Sequence, residues 1–564
     1  MNAARRHCVV FYKTDLPDTL LKHTSFTRIK NFKSHTEWMA VIEEFHAFTN
    51  KFGHLLDLDR IEPQHQRFLA NRLITELEHI DQFVALIKQH YPSSPINIEQ
   101  VGISLNRNAL DQLFIASYLK KTGTTIRLSS FYTQTMTALV FLGYALKSFV
   151  KIIQSTFQTN ISSATDHILL DGINIQNMEA TTNAFTNPRW LIEENILNNT
   201  AKVFILSSKF HNRSTQGNIY QLLTFSEKLS SLKLLINSTF RYFFNPYSNF
   251  VGPALRDGCA TEILVRKQKI SEYITTLSNA WPEDIFPSIL SHYNIKTTAW
   301  LYTNGEFYFS ETPSFSDINI RLSFPSFDKI IYWHDETAKH IQARQIARIG
   351  KIVNKCQHVG SVPMFYGEFG ALDLSPMEAR KKYFGLTSYK TIISAFDISV
   401  MKSEHLINRG VGPYITVETE TLFYEGIYDL LKLNSEIIVM LKPKREELSI
   451  FESLPIFQRI LEDFKERVIL VSPHINPITV IQSSDIVIST LITSASFLGK
   501  YTNRAAYWYD PSCRGLYFSE FFPKDKVIHS FEELNNQVLL YKRRDTYKKL
   551  SKSHIQKLQE AFRL

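Results

Sequence analysis

RVILVSPHINPITVIQSSDIVISTLITSASFLGKYTNRAAYWYDP, residues 467–511, decides the fold class. Three short runs, Val468 to Val471, Ile486 to Ile488 and Ala505 to Tyr509, are β-branched or aromatic, as strands buried on both faces should be. Two segments of helical character separate them, so the stretch reads as βαβαβ. Pro473 and Asn476-Pro477 close the first strand, and Pro477 suits the first turn of a helix running to Gln482. Ser483, Ser484 and Asp485 turn the chain into the second strand. Behind Ile488 come Ser489, Thr490, Thr493 and Ser494, small hydroxyl residues where a strand ends and a helix starts. In an open parallel sheet this edge binds ligands, and a helix N-terminus there offers N–H groups to an anion. All four are candidate ligand-binding residues.

The same unit begins upstream with Thr391 to Asp397, a strand followed by polar residues. Gly410, Gly412 and Pro413 make a loop, Thr419 to Leu433 a helix, and Ile437 to Leu441 the next strand. That strand delivers Lys442, Lys444 and Arg445 at its carboxyl end. Lysine offers a point charge and arginine a planar fork of donors, so the cluster suits a diphosphate; the alternative is a solvated charged face. On an extended segment Lys442 and Lys444 share a side and Arg445 turns away. His474 stands at the same rim, either as a ligand contact or as a turn residue before Asn476-Pro477.

Toward the N-terminus a first alternating unit occupies residues 161–375, after a polar, aperiodic boundary near 160. Its candidate strands are His167 to Leu170, Val203 to Leu206, Leu232 to Ile236, Thr298 to Tyr302, Ile330 to Trp333 and His358 to Val359. Pro188 to Leu197, Gln216 to Leu229 and Thr337 to Ile349 read as the intervening helices. Alternation of this kind implies a parallel sheet. His334, Asp335 and Glu336 follow a strand, where one of them could take a proton from a hydroxyl. The competing reading is helix capping by Asp335. Val359 to Pro363 and then Gly367, Gly370 and Pro376 read as an exposed linker into the second unit, residues 376–564.

Residues 1–160 read as mainly helical, notably 36–50 and 63–90, where Phe68, Leu69, Leu73, Leu77, Ile80, Phe83, Val84 and Ile87 recur at three and four. His46, His54, His65, His79 and His90 lack ligand-type spacing and read as surface or capping residues rather than metal ligands. Phe131 to Ile153 is the most apolar helix, interrupted by Lys147 and Lys151. Two readings stand: a core helix, or an interfacial helix with its lysines at lipid headgroups. The apolar run Cys8 to Tyr12 is too short for a signal peptide, so a cytoplasmic location is expected. Four scattered cysteines without CxxC spacing fit a reducing compartment. The formal charge of +9 fits nucleotide phosphates, anionic lipid or nucleic acid alike.

Asp485 to Ser489, then Thr490-Leu491-Ile492-Thr493-Ser494, then Ala495-Ser496, then Tyr507-Trp508-Tyr509-Asp510-Pro511 together resemble a known pattern. It is that of the bacterial polysaccharide-biosynthesis proteins with a PFTS motif, relatives of the GT-B glycosyltransferases. Thr493 and Ser494 match the motif's Thr-Ser, while Leu491 and Ile492 stand where the family has Pro-Phe. The resemblance implies an α/β fold of two Rossmann-like domains facing a cleft, here with an N-terminal helical extension. It implies a nucleotide-sugar donor on the C-terminal unit and a glycan or lipid-linked glycan acceptor on the other. Lys442, Lys444, Arg445, His474, Ser489, Thr490, Thr493 and Ser494 would then face the donor, and His334, Asp335 and Glu336 would supply the catalytic base.

The sequence has no GxxxxGK[ST] loop, no strand followed by GxGxxG, no GxSxG elbow and no DxD pair on an aromatic strand. The resemblance implies a sugar transferase, and with these motifs missing the expectation is that it works without a protein-bound metal or other cofactor. A nucleotide-sugar 2-epimerase and a non-catalytic binding protein on the same fold are the alternatives. Nucleic acid is not an expected partner, because the basic residues gather at one strand end and on a terminal segment, 542–552, without an aromatic-studded sheet. That terminal segment reads as a helix that either crosses back to the first unit or touches anionic lipid at the inner face of the membrane.

Overall fold

In a computed structural model, the described residues are 7–9, 25–27, 62–65, 68–69, 130–157, 167–171, 203–206, 219–243, 248–277, 285–301, 327–332, 342, 355–358, 374–387, 390–397, 417–444, 454–473, 475–490, 493–501, 504–513 and 526–541. Among them two six-stranded sheets are wholly parallel. The α/β class with two Rossmann-like units is thus as the sequence implied. A small parallel pair, β1 (His7–Val9) and β2 (Ser25–Thr27), lies in the N-terminal region that reads as mainly helical.

The first sheet contains β3 (His167–Asp171), β4 (Val203–Leu206), β5 (Ile270–Leu277), β6 (Lys296–Leu301), β7 (Lys329–Tyr332) and β8 (Lys355–His358). Its order is β4-β3-β5-β6-β7-β8. One sequence expectation changes here. Leu232 to Ile236 is not a strand but the middle of α2 (Phe225–Tyr242). Four apolar residues around Lys233 cannot by themselves separate a strand from a buried helix. The Thr224/Glu227 capping box starts a helix that then buries Ser231, Leu235, Ser238 and Tyr242 on one face. The strand expected there is supplied instead by β5.

Three helices stack beside this sheet: α1 (Ser130–Thr156), α2 and α3 (Ser248–Arg266). Further along, α4 (Phe286–His292) packs on α3 and leads into β6. Residues 62–65 and 68–69 dock on the same layer, where Phe68 joins Ala254, Ile285 and Ile289. Its His65 is not a surface residue: it is buried with Nδ1 3.1 Å from the Tyr242 hydroxyl. Burial, with Arg241 and His292 nearby, pushes its pKa down to about 3, so the ring stays neutral.

The second sheet contains β9 (Thr391–Phe396), β10 (Ile437–Lys442), β11 (Val468–Leu470), β12 (Ile486–Ser489), β13 (Ala505–Tyr509) and β14 (Val527–Ile528). Its helices are α5 (Pro376–Phe384), α6 (Val417–Leu433), α7 (Pro455–Asp463), α8 (Pro477–Gln482), α9 (Ser494–Tyr501) and α10 (Phe531–Leu540). The linker expected through Pro376 ends earlier, because Ser375 and Glu378 form a capping box and Pro376 opens α5. The sheet is buried on both faces. One core gathers Ile393, Val439, Leu441 and Ile488 against α6, α7 and α10; the other gathers Ile392, Met440 and Val487 against α8 and α9.

Candidate functional site

The strands of the second sheet run β11-β10-β9-β12-β13-β14, the order of dinucleotide-binding sheets. Between β9 and β12 the direction of winding reverses. The helices that follow them, α6 and α9, lie on opposite faces of the sheet, and in open parallel sheets such a switch point leaves a crevice at the carboxyl ends. Asp397 follows β9, Lys442 ends β10 and Thr490 follows β12, so all three stand at this edge.

The hydroxyl turn behind β12 is held from three directions. The Thr490 N–H donates to the Phe396 carbonyl at 2.9 Å, which carries the β9–β12 ladder one residue past the strand. The Thr493 N–H donates to the Thr490 carbonyl at 3.3 Å. Trp508 Nε1 donates to the Thr493 carbonyl at 3.2 Å, with its ring edge-on to Phe497. Fixed in this way, the hydroxyl oxygens of Thr490 and Thr493 are buried without a hydrogen-bond partner. Buried hydroxyls are nearly always paired, and leaving one unpaired costs about 1 to 3 kcal/mol. Two orphans on one turn fit an oxygen-rich ligand that accepts from both.

Ser489 behaves differently from its neighbours. It is fully buried, its hydroxyl against that of Ser496, which donates in turn to the Tyr507 carbonyl at 2.8 Å. It fastens β12 to α9 and β13. Ser494 begins α9 and is half-buried.

Lys442 and Lys444 do not share a side. The Lys442 ammonium is buried and donates to the Pro473 carbonyl at 2.9 Å. Lys444 is exposed, and its backbone N–H donates to Asp397 Oδ1 at 2.7 Å. The strand ends at Lys442, so the alternation that would pair the two side chains stops there. Asp397 Oδ2 accepts from the Tyr424 hydroxyl of α6 at 2.8 Å. Burial drives the Asp397 carboxyl up to about 7, against the opposing pull of Tyr424, the Lys444 N–H and both lysine charges. Burial likewise draws Lys442 down to about 8, with Asp397 resisting. Asp397, Tyr424 and Trp508 carry no site role in the sequence reading. The only signal for Asp397 is an acid at the end of a buried strand.

Arg445 and His474 lie outside the described residues, as do His334, Asp335 and Glu336, which follow β7 in sequence. The terminal basic segment 542–552 lies outside them too. Among the described residues no group of three His, Cys, Asp or Glu side chains is placed to hold a metal ion.

A family model described as "Polysaccharide biosynthesis PFTS motif protein" matches residues 232–538. No curated protein matches the chain in sequence. Among solved structures, it is similar to a UDP-GlcNAc 2-epimerase of Methanocaldococcus jannaschii (10% identity, 70% of this chain and 98% of that one, TM-score 0.38). It is also similar to the wall teichoic acid polymerase TagF (10% identity, 77% and 92%, TM-score 0.39). A UDP-glucosyltransferase from Polygonum tinctorium is a third (11% identity, 71% and 94%, TM-score 0.33). Likeness at this level bears on neither substrate nor activity.

Proposed function

The chain belongs to the PFTS-motif family of polysaccharide-biosynthesis proteins, and we propose that it is a glycosyltransferase. It moves a sugar from a nucleotide-sugar donor to a glycan or lipid-linked glycan without a protein-bound metal. The observation that carries this reading is the pair of orphan hydroxyls on Thr490 and Thr493, at the sheet edge where parallel sheets take nucleotides and where Lys442 ends β10 two strands away with its ammonium buried. As the glycosidic bond breaks, negative charge grows on the departing diphosphate. Donors already fixed around it bind that state more tightly than the intact donor. Lysine has three N–H donors, and the Pro473 contact uses one. On the acceptor side, one of His334, Asp335 and Glu336, beyond the carboxyl end of β7, takes the proton of the attacking hydroxyl.

The test is calorimetric titration and thermal shift with UDP, CMP and GDP sugars, on the parent and on a Thr490→Val, Thr493→Val variant. The parent should bind one nucleotide class and melt higher with it. The variant should lose most of that affinity, since each hydrogen bond to a charged group contributes about 1.5 to 3 kcal/mol. Its melting temperature without ligand should not fall. Equal affinity in both proteins would remove the hydroxyls from the site. Incubation with a UDP-sugar and no acceptor then separates chemistries: slow hydrolysis fits a transferase, whereas an altered sugar replaces this reading with an epimerase.

A further inference from the structure

Helix α1 presents two faces. One, through Phe141, Ala145, Ser148, Ile152 and Ser155, is buried in the layer with α2 and α3. The other carries Leu139, Leu142, Leu146, Val150, Ile153 and Phe157, spaced three and four residues apart, all exposed among the described residues. The core-helix reading of this segment therefore fails on one side. Leu146 is 58% exposed and Phe157 86%, while Phe141 on the packed face is wholly covered. Helix α2, beside it, repeats the arrangement with Phe225, Leu229, Ile236 and Phe240 exposed. A water-facing helix surface is ordinarily polar, and apolar stripes on two helices packed against each other call for a covering phase.

Among the described residues the exposed charges that α1 and α2 carry have one sign. Lys147, Lys151 and Lys233 are exposed beside them. Helix α1 contains no Asp or Glu, and the one acid of α2, Glu227, is buried against Lys269 at 2.7 Å. By length and composition Ala138–Ser155 could cross a bilayer. Its packed face argues against that, because Lys228 of α2 reaches across to donate to the Ser155 carbonyl at 2.7 Å. A helix bound along one side to a folded layer can only lie flat. At 27 residues it would lie along a surface for about 40 Å.

We propose that the exposed faces of α1 and α2 seat the protein on an anionic lipid bilayer. The apolar stripes enter the headgroup boundary, and Lys147, Lys151 and Lys233 meet the lipid phosphates. This surface is independent of the nucleotide crevice and stands whether or not that site transfers sugars.

The full-length chain is floated with phosphatidylcholine vesicles, with and without phosphatidylglycerol. Flotation is expected with the anionic vesicles and should weaken with salt. Leu146→Asp with Val150→Asp should abolish it, and Lys147→Glu with Lys233→Glu should reduce partitioning roughly tenfold or more. Because acidic replacements could disturb folding, Leu146→Trp supplies a second reading: brominated lipid should quench the new indole and leave it unquenched in lipid-free buffer. Failure to float, flotation equal in the variants, or an unquenched indole on bound protein would each overturn the proposal. So would a concentration-dependent dimer that the Leu146→Asp, Val150→Asp variant loses in a protein that does not float, since a second copy would then be the cover.

Discussion

Asp397 and Lys442 are both buried, each bonded to other groups, and for each the cost of burial outweighs the attraction of the other's charge, so their pKa values move in opposite senses. Asp397 holds its proton more tightly in the folded protein, up to about 7. Its contribution to stability is therefore full at low pH and is lost as pH rises toward 7. Asp397→Asn keeps an acceptor for the Lys444 N–H and cannot ionise. It should flatten the dependence of melting temperature on pH between about 4 and 7, checked by calorimetry across that range. An unchanged slope would mean that the carboxyl is ionised throughout. Lys442, drawn down to about 8, loses its charge as pH rises through that value. If it stabilises the leaving diphosphate, kcat should fall with it, and Lys442→Met should lower kcat about 10²- to 10³-fold with a smaller effect on donor KM. Lys444→Ala should change kcat only a few-fold, because the exposed side chain is screened and the backbone N–H that Asp397 holds remains. Equal losses in the two variants would show that burial does not distinguish them.

At the scale of elements, the acid of the Asp485 strand lies at the opposite end of β12 from the crevice and does structural work. Its carboxylate accepts from the Ile392 N–H at 2.8 Å and faces the Arg380 guanidinium at 2.6 Å. Arg380 Nε also donates to the Ser483 carbonyl at 2.8 Å. Helix α5 is thereby bound to the central strands β9 and β12. Breaking one side of a buried pair leaves a stranded charge, so Arg380→Ala should cost about 3 to 5 kcal/mol. Denaturant titration of Arg380→Ala against Arg380→Ala, Asp485→Asn checks this; the double variant should recover part of the loss, and no recovery would deny the coupling. Close packing has its own requirement at Gly426 of α6, where an added Cβ would run into the Tyr509 ring of β13. Gly499 similarly lets α9 approach Ala506 and Val487.

For the molecule as a whole, the two cores of the second sheet draw, among the described residues, only on residues from Phe384 onward. A piece from Leu374 to the C-terminus should therefore unfold cooperatively and keep the parent's nucleotide affinity, without transfer activity. A broad, non-cooperative melt by calorimetry would show that the first sheet is needed for folding. The first unit, by contrast, takes in residues far upstream: Ser288 of α4 donates to the Gln64 carbonyl at 2.7 Å, and the Glu62 N–H donates to the Tyr242 hydroxyl at 3.0 Å. Removing the first 129 residues should accordingly lower its stability, since those buried contacts go with them.

The sequence alone determined the class of the second unit, because βαβ units advertise themselves: β-branched runs of four to six residues, proline at N1 of α8, and hydroxyl residues where β12 ends. The position of Thr490 and Thr493 just past the end of β12 was legible for that reason. Sequence could not separate strand from helix at Leu232 to Ile236, since the mostly apolar stretch around Lys233 satisfies both until the Thr224 cap sets the backbone. Nor could it foresee that Ser489 is engaged by Ser496, that Lys442 turns inward and Lys444 outward, or that Asp397 is clasped by Tyr424. Those outcomes join residues 7, 47 and 27 positions apart. Only tertiary structure decides them, because a side chain's partner, and the desolvation that moves its pKa, depend on which strands lie side by side. The strand order that brings β9 against β12 is the physical reason the crevice exists, and no local pattern encodes it.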